Sequence, residues 1–305
     1  MKPGARDSNR LRTLVAAVPM LWLTALFLLP FAIVAKLALS TSATAQPPYR
    51  PVFDLFGGLE RLLADLSALN LANFVTALTD GIYVDALLSS LRLAGTATLV
   101  LLLIGYPAAL ALSRVSERWK PLCLALIILP FWTSFLIRIY AWIGILRPEG
   151  YLNSALRWAG LVEEPVQFLN TDFAIVLGLV YAYLPFMVLP LFAAVERLDR
   201  SLTEAAADLG CPPWRAFWSV TLPLTLPGAF AGALLVFIPS LGEVIVPDLL
   251  GGSDTLMIGR TLWSEFFSNR DWPLASALAI VLLLVLLPPI VLWRRLEARR
   301  WSTST

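Results

Sequence analysis

The stretch EAAADLGCPPWRAFWSVTLP, residues 204–223, interrupts a chain that is otherwise strongly apolar. It carries three charges, two adjacent prolines and a glycine, and long hydrophobic runs precede and follow it. Charged side chains are costly inside a bilayer. The stretch is therefore expected to form a loop between two membrane-spanning segments.

The composition of the whole chain is that of a polytopic membrane protein. Of its 305 residues, 58% are hydrophobic and 14% are charged, and the mean hydropathy is +0.77. Soluble domains average about 45–50% apolar and about 25% charged residues. We therefore expect a chain that crosses a membrane several times.

The chain lacks several residue types that enzymes and nucleotide-binding domains require. It contains no histidine, which excludes Ser-His-Asp triads and zinc sites of the HExxH type. None of its three lysines, Lys2, Lys36 and Lys120, follows a glycine, so there is no GxxxxGK phosphate-binding loop. Cys123 and Cys211 fit neither a metal-binding spacing nor a disulfide framework. The sequence predicts no resident cofactor or metal, and any ATP would be bound by another subunit.

Six apolar segments are long enough to cross a bilayer as helices. A spanning helix needs about 20 mostly apolar residues, and its backbone groups must be satisfied within the segment. Runs rich in Leu, Ala and Val, without ten-residue alternation, argue against a β-barrel. The sequence therefore predicts an all-α membrane domain over residues 14–293, with short tails at 1–13 and 294–305. The predicted spans are residues 14–39, 87–113, 121–146, 172–195, 224–248 and 273–293.

The distribution of Lys and Arg predicts the orientation of these helices. The segments on the side that holds both termini carry 14 basic residues, whereas the opposite segments carry six. Basic residues accumulate on the cytoplasmic side, so both termini are predicted to be cytoplasmic. The first apolar run is too long for a signal peptide and is interpreted as a retained helix. In the longest outer segment, 40–85, we expect extended backbone over 46–51 and an amphipathic helix over 55–70.

Within the opening stretch, local patterns predict two short helices joined at a glycine. Ser201 and Glu204 fit a capping box that would start the first helix. Gly210 suits the left-handed residue that closes it, and the prolines at 212–213 suit the start of the second helix. Pro223 is expected to break the second helix where the next span begins. Each helix has an apolar face, formed by Leu202, Ala205, Ala206 and Leu209 on the first and by Trp214, Phe217, Trp218 and Thr221 on the second.

An exposed apolar surface on such a loop has two interpretations. It is typical of a contact site for another protein. It is equally typical of a helix that lies in the lipid interface. The pattern of residues alone leaves both interpretations open.

The same stretch resembles the signature loop of ABC importer permeases, which reads E-A-A-x-x-x-G and continues with a hydrophobic residue and then L-P. The resemblance implies a type I ABC importer permease fold with six transmembrane helices. It also implies that residues 201–223 form a coupling helix that docks into a groove of the ATPase subunit. The matching residues of this chain are Glu204, Ala205, Ala206, Gly210, Phe217, Leu222 and Pro223.

Further stretches resemble the polyamine branch of that family, most of all the permeases of putrescine importers, with those of spermidine/putrescine importers as close relatives. The resemblance implies a multi-pass permease of the bacterial inner membrane, paired with a second homologous permease subunit. It also implies an ATPase dimer and a periplasmic polyamine-binding protein as partners, and no nucleic acid. The stretches are PFWTSFLIRIYAWIGIL (130–146), VYAYLPFMVLP (180–190), FIPSLGEVIVPDLLGG (237–252) and MIGRTLWSEFFSNRDWP (257–273).

Two acidic residues are the first candidates for contact with such a cargo. A polyamine carries separated ammonium groups, so its pathway is expected to offer carboxylates and aromatic faces. Glu243 and Asp248 lie in or at the end of the fifth predicted span, where an acid is a functional candidate by default. Two prolines and a glycine in residues 239–247 argue against a regular helix, and irregular backbone at that depth lines a cavity or packs within protein. The alternatives are an ion pair of Glu243 with Arg138 and an outer-loop position for Asp248.

Aromatic side chains on the third and fourth predicted spans are further candidates for the pathway. Trp and Tyr are also enriched at membrane interfaces, which offers a second explanation for them. Arg138 is expected to have a structural role or to extend to the interface, and Arg92 is expected to extend to the outer interface. The aromatic candidates are Trp132, Tyr140, Trp142, Tyr181 and Tyr183.

Other functions explain the sequence less completely. An importer of anions would be expected to place basic groups in the pathway, in contrast to Glu243 and Asp248. An ion-driven secondary transporter would leave the loop at 204–223 unexplained. A membrane-embedded enzyme would need catalytic residues that the sequence does not provide in any recognisable cluster.

Overall fold

The computed structural model describes residues 5–53 and 58–301, which are mostly helical. The ends of both predicted tails, residues 1–4 and 302–305, lie outside this description, as do residues 54–57 at the start of the predicted outer helix. The helices are α1 (Ala5–Ala38), α2 (Leu59–Ser67), α3 (Ala72–Thr79), α4 (Gly81–Arg114), α5 (Lys120–Ile128), α6 (Phe135–Leu146), α7 (Tyr151–Trp158), α8 (Asp172–Glu196), α9 (Arg200–Asp208), α10 (Pro213–Ala216), α11 (Leu222–Leu241), α12 (Ile245–Leu250), α13 (Ile258–Trp263) and α14 (Trp272–Trp301).

Five helices among the described residues are long and apolar enough to cross a membrane. A sixth candidate is a pair of helical segments, Lys120–Trp132 and Phe135–Trp158, bent by 89° at the break between them. The prediction of an all-α polytopic membrane protein is therefore confirmed. The five continuous candidates are Val15–Ala38, Gly81–Arg114, Asp172–Glu196, Pro213–Leu241 and Trp272–Val291.

The third predicted span, residues 121–146, is wrong as a continuous helix. After α5 the chain forms a 3₁₀ turn, Leu129–Trp132, and the backbone of Thr133 is extended before α6 begins. Pro130 within the turn donates no backbone hydrogen bond and restricts the residue before it. The helical ladder is therefore interrupted in the middle of an apolar run.

The fifth predicted span, 224–248, differs from the structure at both ends. Its helix begins earlier, because a π-helical turn over Phe217–Thr221 joins α10 to α11, so the predicted break at Pro223 is wrong. A π turn changes the backbone hydrogen-bond spacing and can accommodate a proline in the first turn that follows. At the other end α11 stops at Leu241, and α12 begins at Ile245. The irregular backbone expected over residues 239–247 is confirmed.

The chain divides into two compact units, one of residues up to Asp80 with Leu262–Leu283, the other of Gly81–Thr261 with residues from Leu284 on. In the larger unit α4, α8 and α11 pack against one another around a buried apolar core. Glycines allow the close approach: Gly232 of α11 faces Met187 of α8, and a Cβ on it would lie 2.9 Å from the Met187 Sδ. Gly228 faces Ala194 in the same way. Small residues at such contacts let membrane helices pack closely.

The smaller unit holds α1 to α3 and a two-stranded antiparallel sheet. Strand β1 (Thr41–Ser42) pairs with β2 (Tyr49–Arg50). The Lys36 ammonium lies 4.1 Å from the centre of the Tyr49 ring and 4.8 Å from that of Phe53, and it donates to the Pro51 carbonyl. These contacts fix the sheet segment to the end of α1.

Candidate functional site

The predicted coupling loop begins with a helix capped by Asp199 rather than by Ser201. The Asp199 carboxylate accepts a hydrogen bond from the Ser201 backbone N–H at 2.9 Å, and α9 starts at Arg200. The capping box predicted for Ser201 and Glu204 is therefore wrong by two residues. Aspartate is as good a cap as serine, and the sequence alone does not distinguish between them.

The end of α9 and the start of α10 follow the predicted pattern. Gly210 has a φ of +77°, its N–H donates to the Ala207 carbonyl at 2.8 Å, and the Cys211 N–H donates to the Ala206 carbonyl at 3.0 Å. This is the paired hydrogen bonding with which a left-handed residue closes a helix. Pro213 then occupies the first position of α10. The turn between the two short helices is thereby defined by local backbone chemistry.

The loop presents some of its apolar side chains outward and turns others inward. Leu209 is 89% exposed, and Trp214 and Trp218 are 62% and 61% exposed. Phe217 turns inward, with its ring centre 5.6 Å from that of Tyr106 on α4. The face predicted to hold Trp214, Phe217, Trp218 and Thr221 together is thus divided. Of the candidate coupling residues, Glu204, Ala205 and Gly210 are exposed, and Ala206, Phe217, Leu222 and Pro223 are half-buried.

A half-open cavity of about 430 Å³ lies between this loop and the ends of α4 and α8. Glu204, Ala207 and Cys211 line it from the loop, and Arg114 lines it from α4. The loop therefore has an exposed outer face and an incompletely packed inner side.

An ion-pair cluster joins helix ends next to the cavity. The Lys120 Nζ lies 2.6 Å from a carboxylate oxygen of Glu117 and 2.6 Å from one of Glu196. Lys120 is buried, and Glu196 also lines the cavity. The start of α5 is thereby attached to the end of α8, which leads directly into the loop.

The first candidate of the predicted pathway, Glu243, lies in the break between α11 and α12. Its Oε2 accepts a hydrogen bond from the Tyr183 hydroxyl at 2.5 Å, and its Oε1 accepts one from the Ile245 N–H at 3.2 Å. The predicted alternative, an ion pair with Arg138, does not form. In the part of the chain that the structure describes, no basic side chain pairs with Glu243.

Arg138 instead lies among aromatic rings. Its guanidinium carbon is 4.9 Å from the ring centre of Phe131, 5.6 Å from that of Phe135 and 5.8 Å from that of Tyr181. Ring contacts extend the cluster, since Tyr181 meets Trp142 and Phe186 meets both Phe131 and Tyr183. Tyr181 and Tyr183 are therefore part of one aromatic cluster next to Glu243.

The remaining pathway candidates are not among the rings that form this cluster. Trp132 is 84% exposed and Tyr140 is 58% exposed. Asp248 on α12 forms an ion pair of 3.1 Å with Arg260. Sequence reasoning missed that partner. It also missed Phe131, Phe135 and Phe186, because phenylalanines within apolar runs carry no distinguishing pattern.

Arg92, which is expected to extend to the outer interface, has an acidic partner in the structure. Its guanidinium pairs with the Asp172 carboxylate at the start of α8. The Thr255 hydroxyl donates to the other oxygen of the same carboxylate at 3.0 Å. Asp172 thereby joins α4, α8 and the segment after α12.

These features define a class: a polytopic membrane protein with a surface loop between two of its long helices that exposes apolar side chains. Residues 8–301 match the family described as binding-protein-dependent transport system inner membrane component, and the chain belongs to that family. It is therefore a multi-pass permease component of the inner membrane and not an enzyme.

Named relatives and a solved structure agree with this assignment. The chain is 46% identical over 205 residues to the spermidine/putrescine transport system permease protein PotB of Haemophilus influenzae, covering 67% of this chain and 72% of the relative. It is 44% identical over 220 residues to PotB of Escherichia coli K12, covering 72% and 80%. A crystal structure of a bacterial ABC transporter that imports alginate superposes with a TM-score of 0.64 at 21% identity, covering 95% of this chain and 98% of that one. The last likeness concerns the fold alone.

Proposed function

We propose that this chain is a permease subunit of an ATP-driven, binding-protein-dependent importer of polyamines. The observation that carries the proposal is Glu243, a carboxylate in broken backbone that accepts from Tyr183 and lacks a basic partner among the described residues. Such a carboxylate is available to an ammonium group, and the aromatic rings nearby suit cations and methylene chains. Relatives named as spermidine/putrescine permeases support the same cargo.

The proposed mechanism is alternating access without a chemical step in this chain. A periplasmic binding protein delivers the polyamine, and a second permease subunit forms the other half of the pathway. An ATPase dimer closes on ATP and moves the loop at residues 201–223, whose exposed Leu209, Trp214 and Trp218 fit a contact with another protein. Binding along the pathway has to be weak, because each site must also release its cargo.

The cargo we propose first is putrescine, with spermidine as the second candidate. The two amines share the aminobutyl unit and differ in length and in the number of ammonium groups. The names of the relatives favour a carrier of both. The ratio of their uptake rates, rather than the presence of uptake, is the quantity that distinguishes them.

The first experiment measures uptake of labelled putrescine in cells that lack redundant importers and carry the complete importer, with and without this chain. Uptake should require the chain and ATP, and unlabelled spermidine should compete. Uptake that does not change when the chain is deleted would contradict the polyamine assignment. Uptake that needs the chain but not an ATPase subunit would contradict the ATP-driven mechanism.

A further inference from the structure

Helix lengths place Arg138 at a depth expected for the hydrocarbon core of a bilayer. The path from the ion-paired Lys120 to the break runs through nine residues of α5 and four of the 3₁₀ turn and is about 20 Å long. Along α8, Tyr181 lies about 22 Å from the charged end at Glu196, and its ring contacts Arg138. The core is about 30 Å thick, so both paths end inside it.

Two hydrogen-bond donors of Arg138 have no acceptor in the described part of the chain. The Nε and Nη1 atoms are buried and unpartnered within residues 5–53 and 58–301. No described acid pairs with Arg138: Glu243 accepts a hydrogen bond from Tyr183, and the exposed Asp248 pairs with Arg260. An uncompensated guanidinium at this depth is strongly unfavourable, and rings replace a counter-ion only in part. The acceptor is therefore expected to come from outside this chain.

The helix break next to Arg138 independently requires a cover. Thr133 and Ser134 are exposed and non-helical, and Trp132 before them is 84% exposed. Non-helical backbone at membrane depth is tolerated only where protein covers it or a water-filled cavity borders it. Lipid cannot hydrogen-bond the backbone groups exposed at this break, so lipid is not expected to cover this face.

We propose that a membrane segment of the second permease subunit covers the break at Thr133–Ser134 and supplies a carboxylate to Arg138. This inference rests on the proposed function, which provides the second subunit. The proposed cargo does not provide the acceptor, because an ammonium group offers donors and no lone pair. Water in the pathway would hydrate the backbone and leave the guanidinium without a counter-charge. A carboxylate satisfies both its charge and its hydrogen bonds.

A photo-crosslinking residue in place of Thr133, in the complete importer, tests which molecule covers the break. The expected product joins this chain to the second permease subunit and disappears when the chain is expressed without that subunit. Adducts with lipid alone would overturn the proposal. In a Cys123→Ser, Cys211→Ser background, Thr133→Cys should react at least tenfold more slowly with a water-soluble thiol reagent in the complete importer than in the chain expressed alone. Equal reaction rates would show an aqueous lining and would also overturn the proposal.

The ion pair is tested by recovering the second subunit with this chain after mild detergent extraction. Arg138→Gln should lower the recovery at least fivefold, and Arg118→Gln, which removes an exposed guanidinium from the same unit, should leave it unchanged. Normal recovery with Arg138→Gln would overturn the ion pair. If that variant does not reach the membrane, a charge swap replaces it: Arg138→Glu is combined with the change of one acid of the second subunit to arginine. One such pair should restore recovery of the second subunit. If no acid of the second subunit restores recovery when changed in this way, the proposal is contradicted.

Failure of this inference is distinguishable from failure of the proposed function. If the crosslink at position 133 forms but the importer does not carry putrescine, the subunit contact stands and the cargo assignment fails. If Arg138→Gln instead lowered uptake of an anion without changing the recovery of the second subunit, Arg138 would belong to the pathway and the contact would be overturned.

Discussion

At the scale of single residues, the hydrogen bond from Tyr183 to Glu243 gives the most direct prediction. Tyr183→Phe removes the donor 2.5 Å from Oε2 and leaves the carboxylate with the Ile245 N–H. A hydrogen bond to a charged group contributes about 1.5–3 kcal/mol, so we expect polyamine uptake to fall about tenfold. Tyr151→Phe is the control, since that side chain is exposed, is not a pathway candidate, and its hydroxyl has no partner among the described residues. Equal uptake by both variants would remove Tyr183 from the pathway.

Gly210 gives a second prediction at the same scale. Its φ of +77° is a strained backbone conformation for any residue with a Cβ. A Cβ at this position would have no neighbouring atom within 4 Å, so the strain comes from the backbone alone. Gly210→Ala should therefore cost about 1–2 kcal/mol at the end of α9 and weaken recovery of the ATPase with the complex about tenfold. Gly160→Ala carries the same kind of strain outside the loop, at a φ of +69°, and should leave ATPase recovery unchanged. A similar loss in both variants would indicate general destabilisation.

The sequence predicts the role of Gly210 fully and that of Glu243 only in part. Gly210 is predictable because a left-handed helix end depends on local backbone alone, and a glycine shortly before two prolines indicates it. Glu243 is predictable as an acid in an apolar run, but its hydrogen bond to Tyr183 depends on how α8 packs beside the break. That Arg138 pairs with no acid among the described residues is a property of tertiary packing, and no spacing in the sequence predicts it.

At the scale of the element, the N-terminus of α9 gives a prediction that includes pH. The hydrogen bond from the Ser201 backbone N–H lowers the pKa of Asp199 below its ordinary value, and a hydrogen bond from the Ser201 side chain lowers it further. A carboxylate with a lowered pKa stabilises the folded state above its unfolded pKa, near 3.9, and loses this effect as pH falls through the folded pKa. Amides of α9 should therefore exchange hydrogen several-fold faster in Asp199→Ala than in wild type between pH 5 and 8. The difference should vanish only in strong acid, and Asp199→Asn, which retains a cap, should stay close to wild type.

The sequence predicts the membrane helices better than it predicts where they break or end. Long runs of apolar residues predicted the membrane helices, because hydropathy over about 20 residues averages out local detail. The break at Thr133–Ser134 was not predictable in this way, since apolar residues continue on both sides and Pro130 alone does not determine whether a helix kinks or ends. Pro223 shows the opposite case, in which a proline that was expected to end a helix follows a π-helical turn and leaves it continuous.

At the scale of the whole molecule, the larger unit contains both the loop and the aromatic cluster, and helices connect them. α8 carries Tyr181 and Tyr183 midway and ends at Glu196, which Lys120 holds against the start of α5. α11 runs from the loop to the break that contains Glu243. A displacement of the loop would therefore be passed to the cluster along two packed helices. This arrangement is what the proposed coupling requires.

The last prediction tests that coupling through Glu204. Its side chain is exposed, lines the cavity behind the loop and has no ion-pair partner in the described part of the chain. Glu204→Lys reverses a charge without removing core contacts, so the protein should stay in the membrane with its second subunit, while uptake falls at least tenfold. Glu164→Lys, the same reversal at an exposed position in the segment before α8, should transport normally. Measuring ATP hydrolysis together with uptake separates the outcomes: hydrolysis without import indicates lost coupling, and wild-type import by Glu204→Lys would refute the role of this loop as the connection to the ATPase.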